Sequence, residues 1–321
     1  MKSGAYTRVG SGFRRNRTWS FRVCSVECLE SRHLLSAMGL AAMTAVPDLV
    51  LAPNPGGSAS PDAQPPGYSP AQVRHAYGFD QVKFGSTPGD GRGQTIAIVD
   101  AYNDPKIKSD LATFDSKFKL PAPPSFLVLN QTGRTKLPAA NGGWAQEISL
   151  DVEWAHAIAP KANILLVEST TSGFNDMLQA INYARNRVGV SAVSMSFTFS
   201  DFSSEANYDS YFTTPAGHTG VSFVAASGDS GNLSAWPDAS PNVLSVGGTS
   251  LTLDASNNRL SETAWSGSSG GPSAYEPVPS YQQGLPGADP NFRSMPDVSY
   301  NANPNTGVAI YDSFAFQGFK G

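Results

Sequence analysis

Cysteine is nearly absent: the 321-residue chain has two, Cys24 and Cys28, both close to its start. The rest of the protein therefore has no disulfide framework, no thiolate nucleophile and no cysteine metal cluster, and its stability must come from packing. Charged residues are also scarce, at 15% against about 25% in an average soluble domain. Long apolar runs are missing too. The best, residues 34–46, is broken by Ser36, Gly39 and Thr44 and falls short of the roughly 20 residues a membrane span needs.

The body also lacks a basic footprint. Residues 1–33 carry seven Lys and Arg against two Glu, whereas residues 34–321 carry fifteen against twenty-four acids. Such a body cannot neutralise a phosphate backbone, so nucleic acid is excluded as an expected partner. The same balance suits work at low pH, where losing carboxylate charge relieves self-repulsion.

Glycine and proline are plentiful, with 31 Gly and 24 Pro. That composition describes a chain full of turns and excludes a helical bundle. The basic start followed by the apolar run to Val46 reads as an export signal or basic arm over residues 1–46. Its stretch Leu29-Glu-Ser-Arg-His-Leu-Leu-Ser-Ala37 resembles an element at the start of many secreted and surface proteins. Residues 47–67 have the Pro, Gly and Ser content of a linker. Residues 68–321 form the expected domain, long for one unit but normal for a large α/β domain.

Within it, continuous apolar runs at residues 95–99, 164–167, 192–196, 222–226 and 243–246 read as strands of a parallel sheet covered on both faces. Helices are expected over 106–118, over 145–158 with Pro160 closing it, and over 175–186 with Asn175 as N-cap. After Val246 the pattern turns to loops and hairpins.

Four acids stand out. Glu147 and Asp151 are four residues apart and so share one helix face, an arrangement that like charges disfavour. Buried, such a pair holds one proton between its carboxyl groups and can act as a general acid and base; exposed, it would simply face water. Asp100 closes the first strand at the carboxyl edge of the sheet, where α/β proteins place their sites. Asp229 follows another strand and is flanked by glycines; either could equally be a turn-forming Asp.

These acids occur within an ordered series of motifs. Ile96-Ala-Ile-Val-Asp100, Glu147-Ile-Ser-Leu-Asp151, Ala157-Ile-Ala-Pro-Lys-Ala162, Val193-Ser-Met-Ser196 and Ala226-Ser-Gly-Asp-Ser-Gly231 are followed by Trp236-Pro-Asp-Ala-Ser-Pro241, Val246-Gly-Gly-Thr249 and Pro296-Asp-Val-Ser299. Together they resemble the sedolisins, acid-acting serine-carboxyl peptidases on a subtilisin-like α/β fold. The resemblance implies a parallel sheet with helices on both faces and polypeptide substrates. It implies that Glu147 is the general base, that Asp151 is its partner, and that Asp100 extends their network. It also implies that Asp229 is the oxyanion-hole acid, which donates a hydrogen bond only when protonated.

The chain departs from the family in places. The Gly-Thr-Ser carrying the family's nucleophile follows the Pro296-Asp-Val-Ser299 strand, and the 321 residues do not reach it or the calcium site beyond. The C-terminal part of the fold is thus expected to be missing, no cofactor is expected in this chain, and hydrolysis by it alone is not expected. Ser250 and Ser230 lie in strand and loop contexts unsuited to a nucleophile, and none of the four histidines has the His-Gly-Thr setting of a subtilisin base. Phe197 and Thr198 replace the usual Trp and Gly. The expectation is a monomeric, secreted or cell-surface endopeptidase, with a pseudoenzyme or surface-binding module on the same fold as the alternative.

Overall fold

The computed structural model describes residues 39–47, 49, 65–231, 235–316 and 318–321. Apart from the short hairpin of Lys83–Phe84 with Thr87–Pro88, the strands in chain order are β1 (Val46–Pro47), β2 (Thr95–Ala101), β3 (Phe126–Asn130), β4 (Asn163–Ser169), β5 (Val190–Met195), β6 (Phe197–Ser200), β7 (Ser222–Ala226) and β8 (Ala235–Trp236). They continue with β9 (Leu244–Leu253), β10 (Arg259–Ala264), β11 (Gly271–Pro277), β12 (Phe292–Met295), β13 (Val298–Asn301), β14 (Ile310–Asp312) and β15 (Gly318–Lys320). The helices are α1 (Pro70–Ala76), α2 (Ile107–Phe118), α3 (Gly142–Ile158) and α4 (Phe174–Asn186).

The main sheet runs β10-β9-β7-β5-β2-β4-β3, with β13 also paired to β9; all its pairings are parallel except β9 with β10. Each central strand buries both faces. Ala97, Val99, Leu165 and Val167 pack with Met177, Ala180 and Ile181 of α4 on one side. Ile98, Ile164 and Leu166 pack with Leu111 of α2 and Ile148 and Val152 of α3 on the other. The period of two sends alternate residues to opposite faces, so Asp100 follows Ile98 toward α3 and Glu168 follows Leu166. Strand order reverses at β2, and ligand crevices in open α/β sheets form at the carboxyl ends around such a point.

Helix α3 begins where the Asn141 side chain accepts from the Gly143 and Trp144 backbone N–H groups, a standard N-cap. Helix α4 departs from expectation: it starts at Phe174 with Gly173 as N-cap and no side-chain cap bond, which places Asn175 inside the helix. Packing explains the shift. Phe174 is buried against the rings of Phe199, Phe202, Tyr208 and Trp236, and that burial outweighs a cap worth about 1 kcal/mol.

The body begins earlier than the composition break at residues 46 and 47 suggests. Residues 38–321 form one compact unit. Leu40 and Met43 pack on the core beside buried Ala45, and β1 pairs antiparallel with β6, Val46 opposite Thr198 and Pro47 opposite Phe197. The residues before Gly39, with both cysteines and most of the proposed signal, lie outside the described residues.

Part of the Pro296-Asp-Val-Ser299 motif has a structural basis. Fully buried Arg293 donates from Nη1 to Asp297 Oδ1 (3.0 Å) and from Nη2 to Asp297 Oδ2 (2.7 Å) and the Val243 carbonyl (2.9 Å). The Ser245 N–H donates to the same Asp297 carboxylate at 2.9 Å, tying β13 to the start of β9. Arg293→Ala takes the cation from that carboxylate, which keeps the Ser245 N–H, and removes the donor to the Val243 carbonyl, so a loss of about 2–3 kcal/mol is expected. Urea unfolding checks it; a loss below about 1 kcal/mol would mean that water replaces the guanidinium.

Candidate active site

The carboxyl ends of β5 and β7, helix α3 and the segment after β13 enclose a cleft of approximately 300 Å³. Glu147, Asp151 and Asp229 all line it, with Ser194, Ser196, Gly228 and Leu49. Glu147 is fully buried on α3. Asp151, one helical turn on, is half-buried, but its Oδ2 is sealed from solvent. Its Oδ1 accepts a hydrogen bond from Ser196 Oγ at 2.8 Å. Burial pushes the Asp151 carboxyl up to about 7, with the Ser196 hydrogen bond opposing the rise.

Asp100 does not line the cleft. It lies behind it, fully buried, and is held well above the usual carboxylate range by burial and then by the charges of Asp151 and Glu168. Asp229 reaches the cleft from the loop after β7. Gly228, at φ +102°, makes that turn, and a Cβ there would fall 2.9 Å from Ser269 Oγ, so the site needs glycine. Burial pushes Asp229 up to about 7. A carboxyl titrating there is a neutral hydrogen-bond donor throughout the acid range.

Other candidates stand apart from this cleft. Ser250 lies in β9 and accepts from Asn303 Nδ2 at 2.8 Å. Ser230 is exposed, with its Oγ 3.4 Å from Ser269 Oγ. Buried His156 faces Asp115 at 3.2 Å and the Pro121 carbonyl at 2.7 Å, and His75 pairs with Asp80. Among the described residues no group of three or more His, Cys, Asp or Glu is arranged to hold a metal ion.

The β1 segment continues into the cleft. Ala45 N–H donates to the Ser172 carbonyl at 2.7 Å, β1 lies on the edge of β6, and Leu49 lines the cleft itself. The edge of β6 thus accepts an extended backbone beside the acids.

The model of the subtilase family matches residues 139–314, which hold the α3 acids, Asp229 and β13. The chain belongs to the subtilase family. Within it, the chain is similar to kumamolisin of Bacillus sp. (strain MN-32), at 31% identity over 281 residues, 78% of this chain and 49% of kumamolisin. It is also similar to sedolisin of Pseudomonas sp. (strain 101), at 28% identity over 257 residues, 68% of this chain and 42% of sedolisin. A solved structure of Pseudomonas sedolisin, a serine-carboxyl proteinase complexed with two molecules of pseudo-iodotyrostatin, superposes with a TM-score of 0.64. It is 25% identical, and the match covers 78% of this chain and 74% of that one. This subtilase is therefore of the sedolisin type and has the subtilisin-like fold. The chain spans about half the length of the curated relatives it matches.

Three residues in or behind this subtilase's cleft do not stand out in the sequence. Ser196 was visible only as part of a motif, and its bond to Asp151 depends on how β5 meets α3. Leu49 sits in a stretch of linker composition. Glu168 lies inside β4 just after the apolar run 164–167, and a charge directly following that run was the available signal.

Proposed function

We propose that this chain carries the catalytic acids of a secreted, acid-acting endopeptidase in which Glu147, Asp151 and Asp229 act on a serine nucleophile. The observation that carries this reading is the cleft itself: Glu147 and Asp151 from one helix face and Asp229 from the opposite loop line it together. In this reading Glu147 takes the proton of the serine hydroxyl as its oxygen attacks the substrate carbonyl carbon. Protonated Asp229 donates to the oxyanion of the tetrahedral adduct, and Glu147 returns the proton to the leaving amine. Water then hydrolyses the acyl-enzyme by the same proton route. An oxyanion donor of this kind is worth roughly 3 kcal/mol.

The edge of β6, which takes β1 as an antiparallel strand beside the cleft, supports a polypeptide substrate held in extended form. The acidic body supports a protein that works as a monomer away from nucleic acid, and the basic start supports export to the outside or the cell surface. Since Leu40 and Met43 pack on the core, signal cleavage in this reading falls before Gly39.

The Gly-Thr-Ser implied by the resemblance is not within these 321 residues after Pro296. The test is hydrolysis of a denatured protein at about pH 4 by a form extended with such a segment, beside the 321-residue chain. Activity in the extended form alone supports the reading. Inactivity of both favours a pseudoenzyme or binding module.

Asp229 supplies a further prediction. Asn donates a hydrogen bond at every pH, so Asp229→Asn in the active form is expected to move the alkaline limb of kcat/KM upward by at least one pH unit. An unmoved limb would assign the oxyanion contact to another group.

A further inference from the structure

Beneath the cleft, β2 and β4 run side by side with Asp100 directly opposite Glu168. Neighbouring strands lie ~4.8 Å apart and register partners in parallel strands share a face, so both side chains lie on the side facing α3, where the Glu168 charge acts on Asp100. Both residues are fully buried. Among the described residues neither takes part in an ion pair, and none of their four carboxyl oxygens has a well-formed hydrogen bond when both are treated as ionised acceptors. Two buried carboxyl groups on neighbouring strands, without a cation, cannot both be charged at low cost. A proton held between them converts two unsatisfied acceptors into a donor and an acceptor.

We propose that Glu168 is a positioning residue for the catalytic acids, sharing one proton with Asp100 across adjacent strands and thereby fixing the Asp100 carboxyl against Asp151. This rests on the peptidase reading for its catalytic consequence, though the shared proton does not. The groups around Glu168 agree with it. On β2 its neighbour is Asp100. The turn after β2 brings Asp104, which is itself buried and accepts from the Lys106 N–H at 2.7 Å. On β3 its register partner is uncharged Asn130. From α3, Glu147 and Asp151 lie beyond Asp100, and Ser149 donates to Asp104 Oδ2 at 3.4 Å. Burial, and then the Asp104 charge, push Glu168 up to about 8, against the pull of the Asp104 backbone N–H. Glu147 and Asp151 at the cleft, Asp100 behind it, and Glu168 and Asp104 thus form one group of acids between the sheet and α3.

The test is Glu168→Gln in the 321-residue chain, read as the unfolding equilibrium from pH 4 to pH 8. Glu168 holds its proton in the fold but loses it in the unfolded chain above about pH 4. The parent is therefore stabilised by that proton in acid and loses the benefit as pH rises through the folded value. The Gln variant, neutral at every pH, is expected to match the parent at pH 4 and to unfold at least tenfold less at pH 8. Asp100→Asn should give the same pattern, and the double variant should gain no more than either single change. Parallel pH profiles for parent and variants, or additive gains, would overturn the shared proton.

If the variants fail to fold, a carboxyl ¹³C titration of the wild-type chain decides instead: two mutually coupled carboxyls titrating above pH 6 support the pair, and their absence overturns it. In the extended, active form, Glu168→Gln is expected to displace the acid limb of kcat by about one pH unit with KM unchanged, and Glu168→Asp to restore it. An unmoved limb would confine Glu168 to stability. A wholly inactive extended form would refute the peptidase reading while leaving the unfolding result to decide the pair.

Discussion

Replacing Glu147 by Gln in the extended, nucleophile-bearing form is expected to lower kcat for peptide hydrolysis near pH 4 by about 10²–10⁴-fold, the usual contribution of a positioned general base. The argument is geometric. Glu147 is fully buried on α3, opens into the cleft, and has Asp151 one turn away. An amide of the same shape occupies the same space but cannot take a proton from a serine hydroxyl. The loss should fall on kcat, with KM changed by less than about threefold, since Glu147 is asked to move a proton and not to bind the peptide. Circular dichroism of the same variant is the control for folding. A variant retaining more than a tenth of the parent's kcat would remove Glu147 from the mechanism and with it the serine-carboxyl reading.

The second large effect needs no nucleophile. The 321-residue chain is expected to be most stable near pH 4–5 and to lose several kcal/mol, much of the 5–15 kcal/mol margin of a typical domain, as pH rises to about 8. Burial holds Asp104 at about 6, Asp151, Asp229 and Glu276 at about 7, Glu168 at about 8 and Glu205 at about 9. In the unfolded chain these groups titrate near 4. Between those limits the folded protein binds more protons than the unfolded one, so stability falls with rising pH. Each tenfold change in a proton-binding constant is worth about 1.4 kcal/mol, and coupling among the acids keeps their sum below simple addition. Asp90 and Asp254 are held below the usual range by their hydrogen bonds to Lys161 and Asn258. Their contribution is present above about pH 4 and fades below it, which sets the lower side of the optimum. Thermal midpoints measured at one-unit steps from pH 3 to pH 9 check this. A midpoint that rises from pH 5 to pH 8 would show that the buried acids are ionised in the fold.

Both effects trace to acids buried where bases are few. Residues 34–321 have few bases, and among the described residues fully buried Arg293 is committed to Asp297 and fully buried His156 faces Asp115. The acids around the cleft can therefore be made neutral only by protons, which ties stability and the proposed chemistry to the same pH range.

The sequence by itself determined the class of the fold and the identity of the four acids. Apolar runs long enough to bury both faces specify the central strands of a parallel sheet, and the spacing of Glu147 and Asp151 places them on one side of a helix wherever that helix packs. Asp100 and Asp229 were legible because each follows an apolar strand. Tertiary structure decided whether those acids are buried and which of them meet. Burial depends on α3 lying over β2 and β4, with Ile98 and Ile148 about 50 residues apart in the chain, and no local pattern encodes it. The same holds for Ser196 on Asp151 and for Glu168 opposite Asp100, which is set by the register of two strands more than 60 residues apart. The start of α4 at Phe174 and the pairing of β1 with β6 were likewise decided by the aromatic cluster and the free sheet edge they meet. Local propensity there was weaker than the burial that tertiary contact offers.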